Sequence, residues 1–209
     1  MKRTLLAATA AIAISIAPCV PTHAATITFT TSLNGATEVP AVASPGTGFA
    51  TVVLDTVANT LFVNASFTGL VGTTTASHIH CCVASPFLAA NAGVATQTPT
   101  FANLPLGVTS GSFTQLLDLT LASSYNSAFI TAQGGSVSTA EAALILGMEN
   151  GESYLNIHTT SFPGGEIRGL LAPTPEPESI LLLTSGLAGI AFTRPWKSRQ
   201  GKHGKLSTM

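Results

Sequence analysis

The sequence predicts a mainly β exported protein. We expect one antiparallel β-sandwich or barrel with one or two short helices, a signal peptide before it and a C-terminal apolar helix after it. Charged residues make up only 8% of the 209 residues, against roughly a quarter in typical proteins. The central region consists of short apolar and polar alternations separated by Gly, Pro and Asn, which is typical of strands. Basic residues are concentrated at the two ends, where they indicate membrane topology.

The central region is acidic and contains a single cation, Arg168. Of the eight basic residues, two open the chain and five lie beyond Phe192. Seven acidic residues in the same region leave it with a formal charge of −6. Nucleic-acid-binding proteins present a basic surface to the phosphates. We therefore expect no nucleic-acid partner.

The N-terminus has the three parts of a secretory signal. Met1-Lys2-Arg3 is followed by an apolar run from Leu5 to Ala17 and by Thr22-His23-Ala24, which resembles a cleavage site. We predict a signal peptide over residues 1–24, handled by the Sec machinery and signal peptidase. The alternative is an uncleaved membrane anchor.

Seven segments in the central region have the length and alternation of strands. In chain order they are Thr26–Leu33, Gly48–Leu54, Thr60–Phe67, Ala76–Cys82, Ser112–Leu119, Ser153–Thr159 and Gly165–Leu171. Two of the intervening segments, Asp55–Asn59 and Ser161–Gly164, predict hairpins. The many short strands favour an antiparallel sandwich or barrel over residues 25–172.

Two short helices interrupt the strand pattern. Ser138-Thr139-Ala140-Glu141 has the spacing of a capping box, Ala142–Met148 continues the helix, and Asn150-Gly151 ends it. A smaller helical turn is predicted within Leu121–Phe129.

The C-terminus has three parts in order: a Pro/Glu linker over 173–178, an apolar segment over 179–193 and a basic tail over 194–209. An apolar helix followed by positive charge stops in the membrane with its basic end in the cytoplasm. The apolar run from Ser179 to Phe192 is shorter than the roughly 20 residues of a stable span. This predicts an anchor that is transient.

The same tail resembles a PEP-CTERM sorting signal, through Pro175-Glu176-Pro177, the short helix rich in Leu, Gly and Ala, and the basic cluster. The resemblance implies an exosortase-type processing enzyme as a partner. It also implies a final location at the cell surface, or release into a matrix with extracellular polysaccharide or other surface proteins. A plain tail anchor is the alternative and has the same topology.

Three further segments lie in a characteristic order along the central region. They are Leu33–Pro40, the strand Ser77–His80, and Tyr154–Thr159 continuing into Gly164–Gly169. Together they resemble a chordin-type (CHRD) domain, with a Gly-x-x-Glu-Val-Pro opening, a His-Ile-His strand and a closing Gly-Glu-Ile-Arg-Gly. This resemblance implies a β-rich extracellular module without an established general activity.

Histidines provide the candidate metal site. His78 and His80 are two residues apart, so on a strand they share one face. His158 is the third histidine of the domain. If its strand neighbours theirs, the three imidazoles suit copper or zinc.

A polar cluster is predicted beside them. The second hairpin places Asn156, Glu166 and Arg168 on the same face as His158. The alternative to a metal site is a structural network, in which neutral histidines accompany an ion pair between Arg168 and Glu166 or another acid.

Cys81 and Cys82 are adjacent, and we expect an oxidising compartment. Three outcomes remain open: a vicinal disulfide, pairing between molecules, or thiolate ligands beside His80. Adjacent side chains of a strand point in opposite directions, so a vicinal bond requires a turn after His80.

No recognisable nucleophile or oxyanion-binding group accompanies the histidines, and we therefore expect no enzyme. The leading hypothesis is a non-catalytic binding or matrix module that is anchored at the membrane or released. The alternative is a metal-binding, possibly redox-active, β domain that uses His78, His80 and His158.

Overall fold

A computed structural model describes residues 26–83 and 90–175. These residues contain eight strands: β1 Thr26–Asn34, β2 Thr47–Asp55, β3 Thr60–Thr68, β4 Thr74–His80, β5 Gly111–Asp118, β6 Tyr154–Thr159, β7 Ile167–Leu170 and β8 Ala172–Pro173. The helices of the same part are α1 Ser127–Ala132 and α2 Val137–Glu149, with short 3-10 turns at Gly35–Thr37 and Ala122–Ser124.

All strands belong to one antiparallel sheet, in the order β4-β6-β7-β1-β2-β3-β5, with β8 paired to β1. The sheet curves into a half-barrel. The prediction of a mainly antiparallel β protein with few short helices is confirmed. Sequence alternation alone could not distinguish two packed sheets from a single curved one, because both bury every second residue.

The core lies on the concave side of the sheet. In β1, Phe29 and Leu33 are fully buried, while Thr28 and Thr30 on either side of Phe29 are only half-buried. Helix α2 adds Ala140, Leu144 and Met148 to the same core. The threonines on the convex side explain how the domain presents a polar surface with few charges.

The predicted first hairpin is present. Residues Asp55 and Thr60 are paired across the turn. The Asp55 carboxylate accepts hydrogen bonds from the backbone amides of Val57 and Ala58, and Asn59 has a positive φ of 52°. Asp and Asn are suited to these positions because their short polar side chains bond locally and tolerate this backbone conformation.

The helices differ in detail from the prediction. The longer helix, α2, is capped by Ser136, whose hydroxyl accepts from the Thr139 amide. The predicted cap at Ser138 is therefore wrong by two residues, and Ser138 lies inside the helix. The smaller turn is divided into a 3-10 turn and α1, which begins after Asn126.

Two strands have other bounds than predicted: β4 has the predicted length but lies two residues nearer the N-terminus, and β7 is shorter. Strand β4 ends at His80, because the free edge beyond it is covered by an irregular segment: the Cys81 amide donates to the Gly93 carbonyl. Strand β7 begins at Ile167. Gly165, two residues earlier, has a φ of 130°, so the extended strand conformation is interrupted there and Glu166 lies outside the strand.

A disulfide bond joins Cys81 to Cys82 directly after β4. Its two sulfur atoms lie against Gly147 in α2, where a Cβ atom would overlap both of them. The glycine lets the helix approach the end of the strand that carries His80.

The signal peptide over 1–24, Glu176 and Pro177 of the sorting motif, the apolar segment over 179–193 and the tail over 194–209 lie outside the described residues. No helix within 26–83 and 90–175 is long and apolar enough to cross a membrane.

We expect Gly147→Ala to destabilise the protein, although alanine is normally the better helix former. The new methyl group would overlap both disulfide sulfurs, and overpacking of this kind costs about 2 kcal/mol. Urea unfolding measures the change. Gly164→Ala is the control, because its Cβ would meet nothing within 4 Å. Equal stability of the two variants would contradict this account of the packing.

Candidate metal centre

The candidate site lies on one face of the three strands β4, β6 and β7. His78 is paired with Asn156, and Asn156 is paired in turn with Arg168. On the same face of β4 and β6, His80 is paired with Tyr154, and Ala76 with His158. Register and alternation therefore bring the histidines of two distant segments together.

The three histidines form a compact cluster. Each offers one ring nitrogen, and these nitrogens all lie within 4.8 Å of one another. Nδ1 of His78 is 3.4 Å from Nε2 of His158. His78 and His80 are buried and His158 is half-buried, so the cluster lies beneath the surface. Strand β6, which carries His158, neighbours β4, so the condition that the sequence analysis set for a single site is met.

The other ring nitrogen of each histidine is bonded to a backbone carbonyl. These contacts are His78 Nε2 to Pro99 (2.7 Å), His80 Nδ1 to Ala92 (2.9 Å) and His158 Nδ1 to Pro163 (2.8 Å). A carbonyl can only accept, so each of these nitrogens carries the proton. The three remaining nitrogens, Nδ1 of His78 and Nε2 of His80 and His158, are then unprotonated, and two of them are 3.4 Å apart. Metal-binding histidines show this arrangement, in which the outer N–H is fixed by a carbonyl.

The environment also keeps the imidazoles neutral. Burial lowers the pKa of His80 to about 4, and the neighbouring rings of His158 and His78 lower it further, against the opposing effects of the Ala92 carbonyl, which accepts from Nδ1, and of the nearby Asn156 side chain. Burial likewise lowers the pKa of His78 and of His158, against hydrogen bonds to the Pro99 and Pro163 carbonyls respectively. Neutral imidazole is the form that binds a metal ion.

Comparison with known families identifies the domain. The family model described as the CHRD domain matches residues 29–171. The chain belongs to the CHRD family. No curated protein and no solved structure matches the chain.

The histidine cluster uses two of the three segments that carry the CHRD resemblance. His78 and His80 lie in the His-Ile-His strand, and His158 lies in the closing segment. Of the sorting-tail motif, only Pro175 lies within the described residues.

Arg168 is buried in the CHRD domain without the predicted partner. Its guanidinium lies 4.5 Å from the centroid of the Tyr154 ring. It donates to the Asn91 side chain at 2.8 Å and to the carbonyls of Ala90 and Thr37. The Tyr154 ring in turn stacks on His80 with centroids 4.7 Å apart.

Glu166 does not join this cluster, and the predicted pairing with Arg168 is wrong. Its carboxylate accepts from Ser44, Thr159 and the amides of Val71 and Gly72. Thr159 is on the opposite face of β6 from His158, because neighbouring residues alternate. Burial raises the pKa of Glu166, but the four hydrogen bonds together have the larger effect, and the pKa is lowered.

Glu38 is the residue that sequence reasoning missed. It is 6% exposed and lines a cleft of about 310 Å³ together with Pro163 and Gly165. Burial raises its pKa to about 7, although the charge of Arg168 opposes this. Arg168, as the single cation of the central region, could have indicated it, because a buried cation needs a nearby acid.

Glu38→Gln should stabilise the CHRD domain increasingly as the pH rises. The folded-state pKa of Glu38 lies above its ordinary value of 4.5. Its contribution to stability is therefore complete below pH 4.5 and is lost as the pH rises through 7. Glutamine carries no such cost, so its advantage should grow by up to about 3 kcal/mol between pH 4.5 and 8.

Urea unfolding at a series of pH values measures this advantage. Glu149→Gln, in the last turn of α2, is the matched control. The same pH-dependent gain in both variants, or none in Glu38→Gln, would show that Glu38 does not carry a buried charge at high pH.

Proposed function

We propose that this protein is an exported, non-catalytic binding module whose CHRD domain holds one zinc or copper ion with His78, His80 and His158. The observation that carries the proposal is the convergence of three unprotonated ring nitrogens whose outer N–H groups are all fixed by carbonyls. Family membership supports the coarser part, a binding module of the extracellular type.

The dimensions of the cluster support a metal ion. With metal–nitrogen bonds near 2.0–2.1 Å and tetrahedral angles, two ligand nitrogens lie about 3.3 Å apart. The His78 and His158 nitrogens are separated by 3.4 Å. Two lone pairs at this distance repel each other unless a cation or proton lies between them. Because the pKa of each ring is lowered by burial, a metal ion is the better match at neutral pH.

The surroundings of the cluster support a non-catalytic role. The hydroxyls of Ser77 and Thr159, which neighbour the histidines along β4 and β6, are on the opposite face and have other partners: Ser77 donates to the Asn156 carbonyl at 2.8 Å and Thr159 donates to Glu166 at 2.7 Å. Neither is placed to act as a nucleophile beside the histidines. The ion would instead tie strands β4 and β6 together.

The two ends of the chain support the rest of the proposal. The N-terminal segment would direct export through the Sec machinery and be removed by signal peptidase. The C-terminal segment would anchor the domain until an exosortase-type enzyme processes it. The domain would then face extracellular polysaccharide or other surface proteins.

The purified protein should bind one equivalent of zinc or copper. Alanine at His78, His80 or His158 removes one of three ligands, so each variant should bind less than about a tenth of an equivalent under the same dialysis. Elemental analysis measures the content, and calorimetry the affinity. Asn64→Ala, on the exposed face of β3, is the control. Wild-type protein without stoichiometric metal after loading would overturn the proposed metal centre.

Deletion of residues 176–209 should release the protein from the membrane. The deletion removes the apolar segment and its basic flank, which together hold a chain in the bilayer. Cell fractionation with immunoblotting measures the distribution. A shorter deletion of 200–209 keeps Arg194, Lys197 and Arg199 and should leave the protein at the membrane. Membrane association of both deletion variants would contradict the proposed anchor.

A further inference from the structure

Asn156 occupies the centre of the histidine cluster. It is paired directly with His78 across β4 and β6, precedes His158 by two residues on the same face, and follows Tyr154, the partner of His80, by two. Its side chain is 1% exposed. Directly opposed side chains in an antiparallel pair lie about 5 Å apart at Cβ. The amide is therefore within reach of the same point as the three imidazoles.

Two acceptor atoms in this centre have no hydrogen-bond partner among the described residues. They are Oδ1 of Asn156 and Nε2 of His80, both fully shielded from solvent. Nε2 of His80 is an acceptor because Nδ1 carries the proton toward Ala92. Buried polar atoms are almost always paired, so two adjacent exceptions require an explanation. A cation that both atoms bind supplies one.

The surroundings of the amide indicate which of its ends faces the histidines. A Cβ atom on Gly165 would lie 2.8 Å from Nδ2 of Asn156 and 2.5 Å from Oε1 of Glu38. The amide nitrogen and the carboxylate oxygen thus share the space above Gly165. An N–H donor belongs beside a carboxylate, whereas a flipped amide would place two oxygens together. This orientation leaves Oδ1 for the His80 side.

We propose that Oδ1 of Asn156 is the fourth ligand of the metal ion, which completes a closed tetrahedral site of three nitrogens and one oxygen. This inference rests on the proposed metal centre and goes further, because it assigns the ion a structural role. Structural zinc sites have four protein ligands, whereas catalytic sites keep one position for water or substrate. A tetrahedral set with a neutral oxygen also favours zinc over copper(II), which prefers tetragonal geometry.

The neighbouring residues have a supporting role in this arrangement. Glu38 Oε1 lies on the Nδ2 side of the amide, above Gly165, and has no hydrogen-bond partner among the described residues. Gly165 lacks the Cβ that would separate Glu38 from Asn156. The His158 ring is held by the Pro163 carbonyl, in the same connection between β6 and β7. The hairpin that closes the CHRD pattern therefore positions two of the four ligands.

Cobalt(II) substitution tests the closed site, because the visible spectrum of cobalt reports its coordination number and its access to added anions. The full chain is loaded with cobalt(II) as wild type, Asn156→Ala, Asn156→Asp and the control Asn64→Ala. Each is titrated with azide, and zinc affinity is measured in parallel.

We expect the wild-type and Asn64→Ala spectra to be tetrahedral and unaffected by azide. Asn156→Ala should weaken zinc binding about tenfold or more and should acquire an azide-dependent spectrum, because the fourth position is open. Asn156→Asp should stay closed and bind zinc at least as tightly, because a carboxylate oxygen replaces the amide oxygen.

Three results would overturn the inference while leaving the metal centre intact. The first is an azide-dependent spectrum of the wild type. The second is an Asn156→Ala spectrum identical to that of the wild type. The third is a loss of zinc affinity in Asn156→Asp, which would mean that Asn156 donates a hydrogen bond to His80. Failure of the wild type to bind cobalt(II) and zinc would instead refute the metal centre itself.

Discussion

The burial of uncharged imidazole rings on one face of β4 and β6 is the constraint on which this end of the domain depends. Each ring N–H must find an acceptor away from water, because an unpaired buried donor costs about 1–3 kcal/mol. All three acceptors are carbonyls of irregular segments, at Ala92, Pro99 and Pro163. The histidines therefore contribute one hydrogen bond each to the loops that cover the free edge of β4 and connect β6 to β7.

The sheet is divided into two regions with different physical roles. From β1 through β3 and β5, alternating apolar residues form a dry core, with Leu54, Leu61 and Val63 fully buried. From β4 through β7, one face contains the histidines, Asn156 and Arg168 in register. The first region supplies hydrophobic stabilisation. The second is stable only when its polar groups have partners, and a shared cation would satisfy several of them together.

The charged groups next to the candidate metal centre also depend on their hydrogen-bond partners. Arg168 has backbone and amide acceptors and the ring of Tyr154 in place of a direct carboxylate partner. Burial raises the pKa of Glu38 to about 7, although the nearby positive charge of Arg168 acts to lower it. Glu166, by contrast, receives four hydrogen bonds and has a lowered pKa. The pKa values of the two buried glutamates are thus shifted in opposite directions. Glu166 is surrounded by hydrogen-bond donors, whereas Glu38 lies in a mainly apolar cleft.

The sequence by itself determined the mainly antiparallel β fold, the first hairpin, the CHRD resemblance and the three histidines, because each depends on spacing along the chain. It could not place Glu166 correctly, since one glycine with positive φ at Gly165 removes that side chain from the strand alternation. It could not identify Glu38 or the central position of Asn156 either. Those depend on which strands become neighbours and on how loops close over them, and only the tertiary structure decides such long-range contacts.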